Sequence, residues 1–526
     1  MANLRRSVLE NAAALAWLAL VAASSFAEAD AGRFYTIKVV DDQTGRGVPL
    51  VELRTVNSIR YYTDSNGIVA FREPGLMDQK VFFFVQSHGY EFPKDGFGNS
   101  GKTLDVKEGG SAVLKIKRLN VAERLYRITG AGIYRDSVLV GERVPIRRPL
   151  LNGQVFGQDS TLAVPWRGKI HWFWGDTSRP RYPLGQFQMS GATSLPPGQG
   201  GLDPSLGVDL DYYVGDDGFS RPMCPMKAPG MVWLDGILVA PDETGRERMV
   251  AHYARMKSLG EMLEHGLAVW NEERAIFEKS VEFDLKDKWR CPRGHPVRVS
   301  DNGADHLVFP TPYATVRVKA DIKHVAGQSS YEAFTCLAPG TRYDKADAKV
   351  DRAPEGRLIY GWKPNTDPID TAQERELIKA GKITEDEARY QLKDVDTGKP
   401  VTLHSGSINW NPYRKKWVMI AVQSFGEPSF LGEVWFAEAD SATGPWVWGK
   451  RIVTHDKYTF YNPVHHPFFD QDGGRLIYFE GTYANTFSGN PDQTPRYDYN
   501  QIMYRLDLSD RRLPQPLVPA TKAGEK

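Results

Sequence analysis

Short runs of alternating apolar and polar residues recur along this chain, separated by turns rich in Gly, Asp, Asn and Pro, and predict strands far more often than helices. The densest stretch is Val155 to Thr177, VFGQDSTLAVPWRGKIHWFWGDT. Asp159 to Val164 and Lys169 to Trp174 read as two strands joined by a turn at Trp166-Arg167-Gly168. In the second strand Ile170, Trp172 and Trp174 fall on one face, and His171 and Phe173 on the other. Both faces are bulky, as expected where sheets stack on both sides. The hairpin brings two carboxylates, Asp159 and Asp176, into one neighbourhood.

From Phe34 to Leu119 the pattern is strand, turn, strand, with polar turns at Asp41 to Gly45 and Thr63 to Gly67, and it predicts a small β-sandwich over residues 32–119. After a linker near Asn120 to Arg127, three-strand pieces recur five times between residues 128 and 510. The second starts at MVWLDGILVA, the third at HPVRVSDNGADHLVF, the fourth at SGSINWNPYRKKWVMIAVQ and the fifth at YNPVHHPFFDQDGGRLIYFEGTY. Such a period predicts a five-bladed β-propeller, so the fold class is all-β. Two stretches break the pattern: Gly185 to Asp217 reads as a long loop, and Thr371 to Asp394 as a helical hairpin inserted between blades. Residues 511–526 read as a C-terminal tail.

Composition narrows the function. Lys and Arg number 66 against 65 Asp and Glu, so nothing in the charge points to nucleic acid. Residues 1–31 read as a signal peptide: Arg5-Arg6, an apolar centre from Ala12 to Ala23, and a small-x-small site at Ser25-Phe26-Ala27. The expected location of the mature chain is secreted or periplasmic, with no membrane span. Cys224, Cys291 and Cys336 are an odd set without framework spacing, and Cys291 with His295 lacks the second pair a metal site needs.

The early residues of the innermost strands point into a propeller's channel, and here they are polar: Asp159, Asp235, Asp305 and His306, Ser405 to Asn409, and His465 and His466. Buried polar groups need partners, so this ring is costly unless it binds something. Paired carboxylates are what glycosidic-bond cleavage requires. Asp159 and Asp176 are the candidates for base or nucleophile, and Glu264, Glu332 and Glu433, each opening a third-strand-like piece, for the acid. Asp235, Asp305, His306, Asn409, His465 and His466 are candidate substrate contacts. No cofactor is expected; a calcium ion beside His465 and His466 is the open alternative to a structural histidine pair. Trp410, Trp446, Trp448 and Tyr483 are candidates to stack on sugar rings or to pack blades.

Two resemblances add to this reading. "VVDDQTGRGVPLVELRT" and "YYTDSNGIVAF" resemble the transthyretin-like, carboxypeptidase regulatory-like sandwich modules found beside exported enzymes, which implies an accessory role. "GEVWFAEADSATGPW" looks like a strand of five-bladed glycoside-hydrolase propellers of the arabinanase and xylosidase type, and "GQDSTLAVPWRGKIHWFWGDT" is similar to the first blade of a related propeller family. That resemblance implies a glycoside hydrolase acting on a polysaccharide or oligosaccharide, with the base at Asp159 and Asp176 as the aspartate of the GDT motif; no glutamate matches an acid motif. A non-catalytic glycan-binding propeller and a cell-envelope interaction module are the alternatives.

Overall fold

The computed structural model describes residues 33–518, and the segment read as a signal peptide lies outside them. Strands dominate and helices are few and short, so the all-β reading stands. Two units divide the chain: one runs through Leu119 and includes Gly132–Leu150, and the other comprises Asn120–Ala131 and Leu151 onward.

The first unit holds two four-stranded sheets. One is ordered Ile68–Phe71, Tyr35–Asp41, Ser111–Arg118, Tyr90–Glu91, and the other Arg60–Tyr62, Glu52–Thr55, Gln79–Gln86, Gly101–Val106. Alternation turns Tyr35, Ile37 and Val39 of one sheet and Val81, Phe83 and Val85 of the other into a shared core. The turn read at Thr63 to Gly67 forms. Gly67 has φ +76, and a Cβ there would lie 2.4 Å from the Val39 carbonyl oxygen, so the position admits only glycine.

Residues 132–150 were expected in the propeller, and the structure places them in the first unit. The reason is a long-range contact: buried Asp64 accepts from the Asn66 and Ile68 amides through Oδ1, and from the Ser137 amide and hydroxyl, both at 2.7 Å, through Oδ2. Local periodicity cannot show such a return of the chain.

Among the described residues the second unit contains five sheets of four or five strands and one three-stranded sheet; pairing is antiparallel except in the fourth, where Lys393–Asp394 lies parallel to Trp448–Val453. The innermost strands of the five are Leu162–Trp166, Met231–Pro241, Val297–Asp301, Leu403–Asn411 and Thr459–His465. The sheets pack face to face in cyclic order. Phe173 of the first joins Val232 and Met249 of the second; Val250 of the second joins Leu307 and Phe309 of the third; Val308 of the third joins Met419 and Trp435 of the fourth. Val422 of the fourth meets Tyr461 and Ala484 of the fifth, and Ile170, Trp172 and Trp174 of the first meet Tyr478 and Met503 of the fifth. The double-bulky strand Lys169–Trp174 therefore packs on both faces, as its sequence pattern demands.

The stretch expected as a linker is the closing strand: Glu123–Arg127 pairs antiparallel with Asn500–Asp507 and is the fourth strand of the fifth sheet. The stretch expected as one long loop, Gly185 to Asp217, takes in the end of the strand Tyr182–Gln186 and the strands Ser190–Ser194 and Asp211–Tyr212. The expected helical hairpin is a single helix, Thr371–Lys379, opened by an Asp370–Gln373 capping box. Its return limb is turns that end in the short strand Lys393–Asp394; buried Glu374 accepts from the Arg389 and Tyr390 amides and ties that limb to the helix. The described part of the tail is tied down: Arg414 donates to the carbonyls of Leu513 and Pro514, and the Leu517 amide to Glu438.

Candidate active site

Asp159 sits just before the first inner strand, and Asp176 just past the end of the strand hydrogen-bonded to it. The Gly175 amide donates to the Asp159 carbonyl at 2.7 Å. A Cβ on Gly175 would lie 2.1 Å from Asp159 Oδ1, so the glycine of Gly-Asp-Thr makes room for the first carboxylate while presenting the second. The predicted neighbourhood of the two aspartates is real.

Both carboxylates are half-buried, and both are pushed up in pKa. Asp159 rises to about 6, through loss of solvent first and the Asp176 charge second, against hydrogen bonds from Tyr461, Tyr499 and the Asp176 amide that favour its ionised form. Asp176 is raised by loss of solvent and partly relieved by the Trp233 side chain. Asp176 Oδ1 is buried without a hydrogen-bond partner among the described residues. An unpaired carboxylate oxygen beside a second carboxylate is an acceptor waiting for a donor.

Three of the inner strands carry irregularities of register. Register shifts occur at Asp235/Leu238, Leu403/Ser405 and Tyr461/Val464. Ser160 and Asn462 have positive φ, 56 and 48. Their side chains meet: Asn462 Nδ2 donates to Ser160 Oγ at 2.7 Å, and Ser405 Oγ to Asn462 Oδ1 at 2.8 Å, joining the first, fifth and fourth sheets. Asp235 is at the same bulge level but is used internally, accepting from the Gly236 amide at 2.9 Å and the Gly294 amide at 2.7 Å; it links the second sheet to the segment entering the third.

Further along the inner strands lies a cavity of about 250 Å³ reached by all five sheets, its lining including Leu162, Leu238, Val297, Asn409, His465 and His466. Asn409 Nδ2 meets His465 Nδ1 at 3.3 Å, and His465 Nε2 meets Asp470 at 2.8 Å. His466 Nε2 meets buried Glu480 at 2.7 Å, which also accepts from Thr161. His295 lines the cavity too, its pKa lowered to about 3 by burial and by His466. His465 and His466 are thus each tied to a carboxylate, the hydrogen bonding of a structural histidine pair. Among the described residues no three His, Cys, Asp or Glu side chains are placed to hold a metal ion.

Other expected residues lie elsewhere. Glu264 is on the third strand of the second sheet, paired with Arg255 and Lys279, which hold its carboxyl down to about 2 against the effect of burial. Glu332 is on the fourth strand of the third sheet, paired with Arg317. Glu433 precedes the third strand of the fourth sheet and is buried among Ser429, Thr454, the His455 amide and Arg451. At about 4.8 Å per strand, each is roughly 10 Å or more from its inner strand. Asp305 and His306 are both on the second strand of the third sheet, Ala304–Pro310, rather than the inner one, and Asp305 is bonded to Ser300 and Arg298. Trp446 and Tyr483 are buried in packing, Trp448 is partly so, and Trp410 is half-exposed near the far end of its inner strand.

Sequence reasoning missed Tyr461, Tyr499, Trp233 and Glu480, and weighed His295 only as half of a metal site. Tyr461 stood in the YNPVHH string, four residues before the histidines that drew attention; Tyr499 lies in a loop and carried no local signal.

No protein-family model matches the chain, and no curated protein does. Among solved structures it is similar to an exo-β-1,3-galactanase of Phanerochaete chrysosporium, at 10% identity over 74% of this chain and 65% of that one, TM-score 0.36. A GH43_1 enzyme of Xanthomonas citri complexed with xylose aligns at 10% identity over 68% and 88%, TM-score 0.30. An α-L-arabinofuranosidase of Clostridium thermocellum aligns at 11% over 65% and 88%, TM-score 0.30. Scores at this level carry no functional argument, so the chemistry rests on the residues themselves.

Proposed function

We propose that this chain is an exported carbohydrate-active protein, its second unit a five-bladed β-propeller that hydrolyses a glycosidic bond at the Asp159 end of the channel. The first unit is a transthyretin-like sandwich with an accessory role. The observation that supports the reading most is the Asp159–Asp176 pair, with one buried acceptor unpaired and Trp233, Tyr461 and Tyr499 around it. Asp159, ionised above about pH 6, takes a proton from the water that attacks the anomeric carbon, while the bond from that carbon to the leaving sugar's oxygen breaks and the oxygen takes a proton from solvent. Tyr461 and Tyr499, neutral because burial raises them, keep its carboxylate oriented. Asp176 accepts a sugar hydroxyl on its free oxygen.

The test is reducing-end release from a panel of plant, algal and bacterial polysaccharides by the parent and by Asp159→Asn. Release by the parent and its loss in the variant supports the reading; equal release by both overturns the role of Asp159. One observation favours a second reading, a non-catalytic glycan-binding propeller: all three glutamates considered as acids are engaged in ion pairs away from the aspartates. That reading expects polysaccharide binding without release.

A further inference from the structure

The fourth and fifth sheets each send a loop to the Asp159 end of the channel. Lys416–Gln423 runs antiparallel to its inner strand, so the loop 424–433 leaves at the end where Ser405 joins Asn462 and Ser160. Leu476–Ala484 does the same in the fifth sheet, and the loop 485–499 ends in Tyr499, which bonds Asp159. The first loop is fastened to the site: Leu431 packs with Tyr461 and Tyr499, and its carbonyl accepts from the Phe460 amide at 2.8 Å.

Three aromatic side chains stand out of these loops. Phe425 is 73% exposed, Phe430 45% and Phe487 65%. Phe425 and Phe430 sit edge to face with centroids 5.1 Å apart. Phe425 and Phe487 also have left-handed backbones, φ 59 and 67, which bulky residues rarely adopt. An exposed ring on a strained backbone gains little burial to offset the strain, and the fold alone gives no reason for it at two positions. The rings are interspersed with polar residues, Ser424, Glu427, Asn485, Ser488 and Asn490, rather than fused into the continuous apolar patch a protein partner would cover.

We propose that Phe425, Phe430 and Phe487 form a stacking platform for sugar rings of a polysaccharide chain, lying outside the residue held at Asp159. A flat aromatic face matches the apolar C–H face of a pyranose ring; of the perpendicular Phe425–Phe430 pair one ring offers its face and the other braces it, and the polar side chains nearby match the hydroxyl edges. The inference rests on the carbohydrate reading of the Asp159 site and adds that the ligand is a chain several sugars long, running over the fourth and fifth sheets.

The experiment is affinity electrophoresis of the full chain in gels containing linear β-1,3-galactan, arabinan or xylan, with F425N, F487N and F425N/F430A/F487N variants and D159N as control. Asn suits a left-handed backbone better than Phe, so F425N and F487N should melt no lower than the parent. Each lost ring should weaken retardation roughly two- to tenfold, with turnover of a disaccharide from the same polymer unchanged. D159N should be retarded like the parent. A triple variant that melts normally and is retarded like the parent overturns the platform, as does a parent retarded by none of the three polymers. Retardation that depends on the rings without any reducing-end release upholds the platform and overturns only the hydrolase reading.

Discussion

The Tyr461 hydroxyl donates to Asp159 Oδ2 at 2.9 Å, joining the start of the fifth inner strand to the segment that enters the first. Residues 302 positions apart thus share one proton donor and one acceptor. Tyr499 bonds the same carboxylate. The two hydroxyls work against desolvation and the Asp176 charge, which raise the pKa of Asp159 to about 6.

For Asp159→Asn, turnover should fall roughly a hundred- to ten-thousandfold. Stability should move the other way. The folded-state pKa is raised from 3.8 to about 6, so the proton stabilises the fold below 3.8 and that contribution is lost as pH rises through about 6. At pH 7.5 the variant, free of the desolvated charge, should melt at or above the parent, and the difference should vanish below pH 4. Melting curves at the two pH values together with rates check both halves; a variant that melts much lower at pH 7.5 would make Asp159 a structural anchor.

Tyr461→Phe and Tyr499→Phe each remove a donor that favours ionised Asp159. The acidic limb of the pH–rate profile, expected near pH 6 in the parent, should move upward by about one unit in each variant. A merely structural tyrosine would lower the rate at all pH values without shifting the limb.

Glu433→Gln tests the glutamate that is most deeply buried of the three considered as acids. Its oxygens accept from Ser429, Thr454 and the His455 amide and face Arg451. Burial raises its pKa as it does that of Asp159, so the lost charge is no cost in itself; what Gln loses is an acceptor for these donors, which should cost about 1–3 kcal/mol, read by urea unfolding, with the rate per folded molecule unchanged. A rate loss without a stability loss would return Glu433 to the site.

In the first unit, Asp64→Ala leaves four donors without their acceptor, from Asn66, Ile68 and Ser137. The loss should be about 2–4 kcal/mol, and protease cleavage within Gly132–Leu150 should accelerate. Intact protection of that segment would show that other contacts hold it.

A truncated chain beginning at Ile128 lacks Glu123–Arg127 and so exposes the edge of Asn500–Asp507 along with the buried faces that Leu125 and Tyr126 cover. It should aggregate or melt without cooperativity, whereas a chain beginning at Asn120 keeps the ladder. Equal melting of the two would mean that the strand contributes little.

What the sequence made legible follows from the range of each interaction. Strands with an apolar stripe, the Trp166-Arg167-Gly168 turn and the Asp159–Asp176 neighbourhood are decided within about twenty residues, and they could be read. Glu264 and Glu332 looked available because their partners, Arg255, Lys279 and Arg317, sit on adjoining strands whose register is not visible in a linear pattern. Tyr499 reaches Asp159 only once the fifth sheet meets the first, and Glu123–Arg127 looked like a linker because its partner strand begins at Asn500. Phe425 and Phe487 were passed over for tryptophans because exposure and backbone strain leave no trace in residue type.

The chain's passage through its two units has a consequence for how such a protein can be recombined. It builds most of the first unit, contributes Asn120–Ala131 to the second, returns with Gly132–Leu150 to the first, and only then completes the second. Three covalent crossings stitch the units, so neither is a cassette that a single junction can transplant. A gene fusion cut at Leu119 would strand the Ser137 segment without Asp64, and one cut at Leu150 would carry off the strand that seals the fifth sheet. Shuffling of the first unit between proteins would therefore have to move an interrupted segment, and its ancestry should track that of the second.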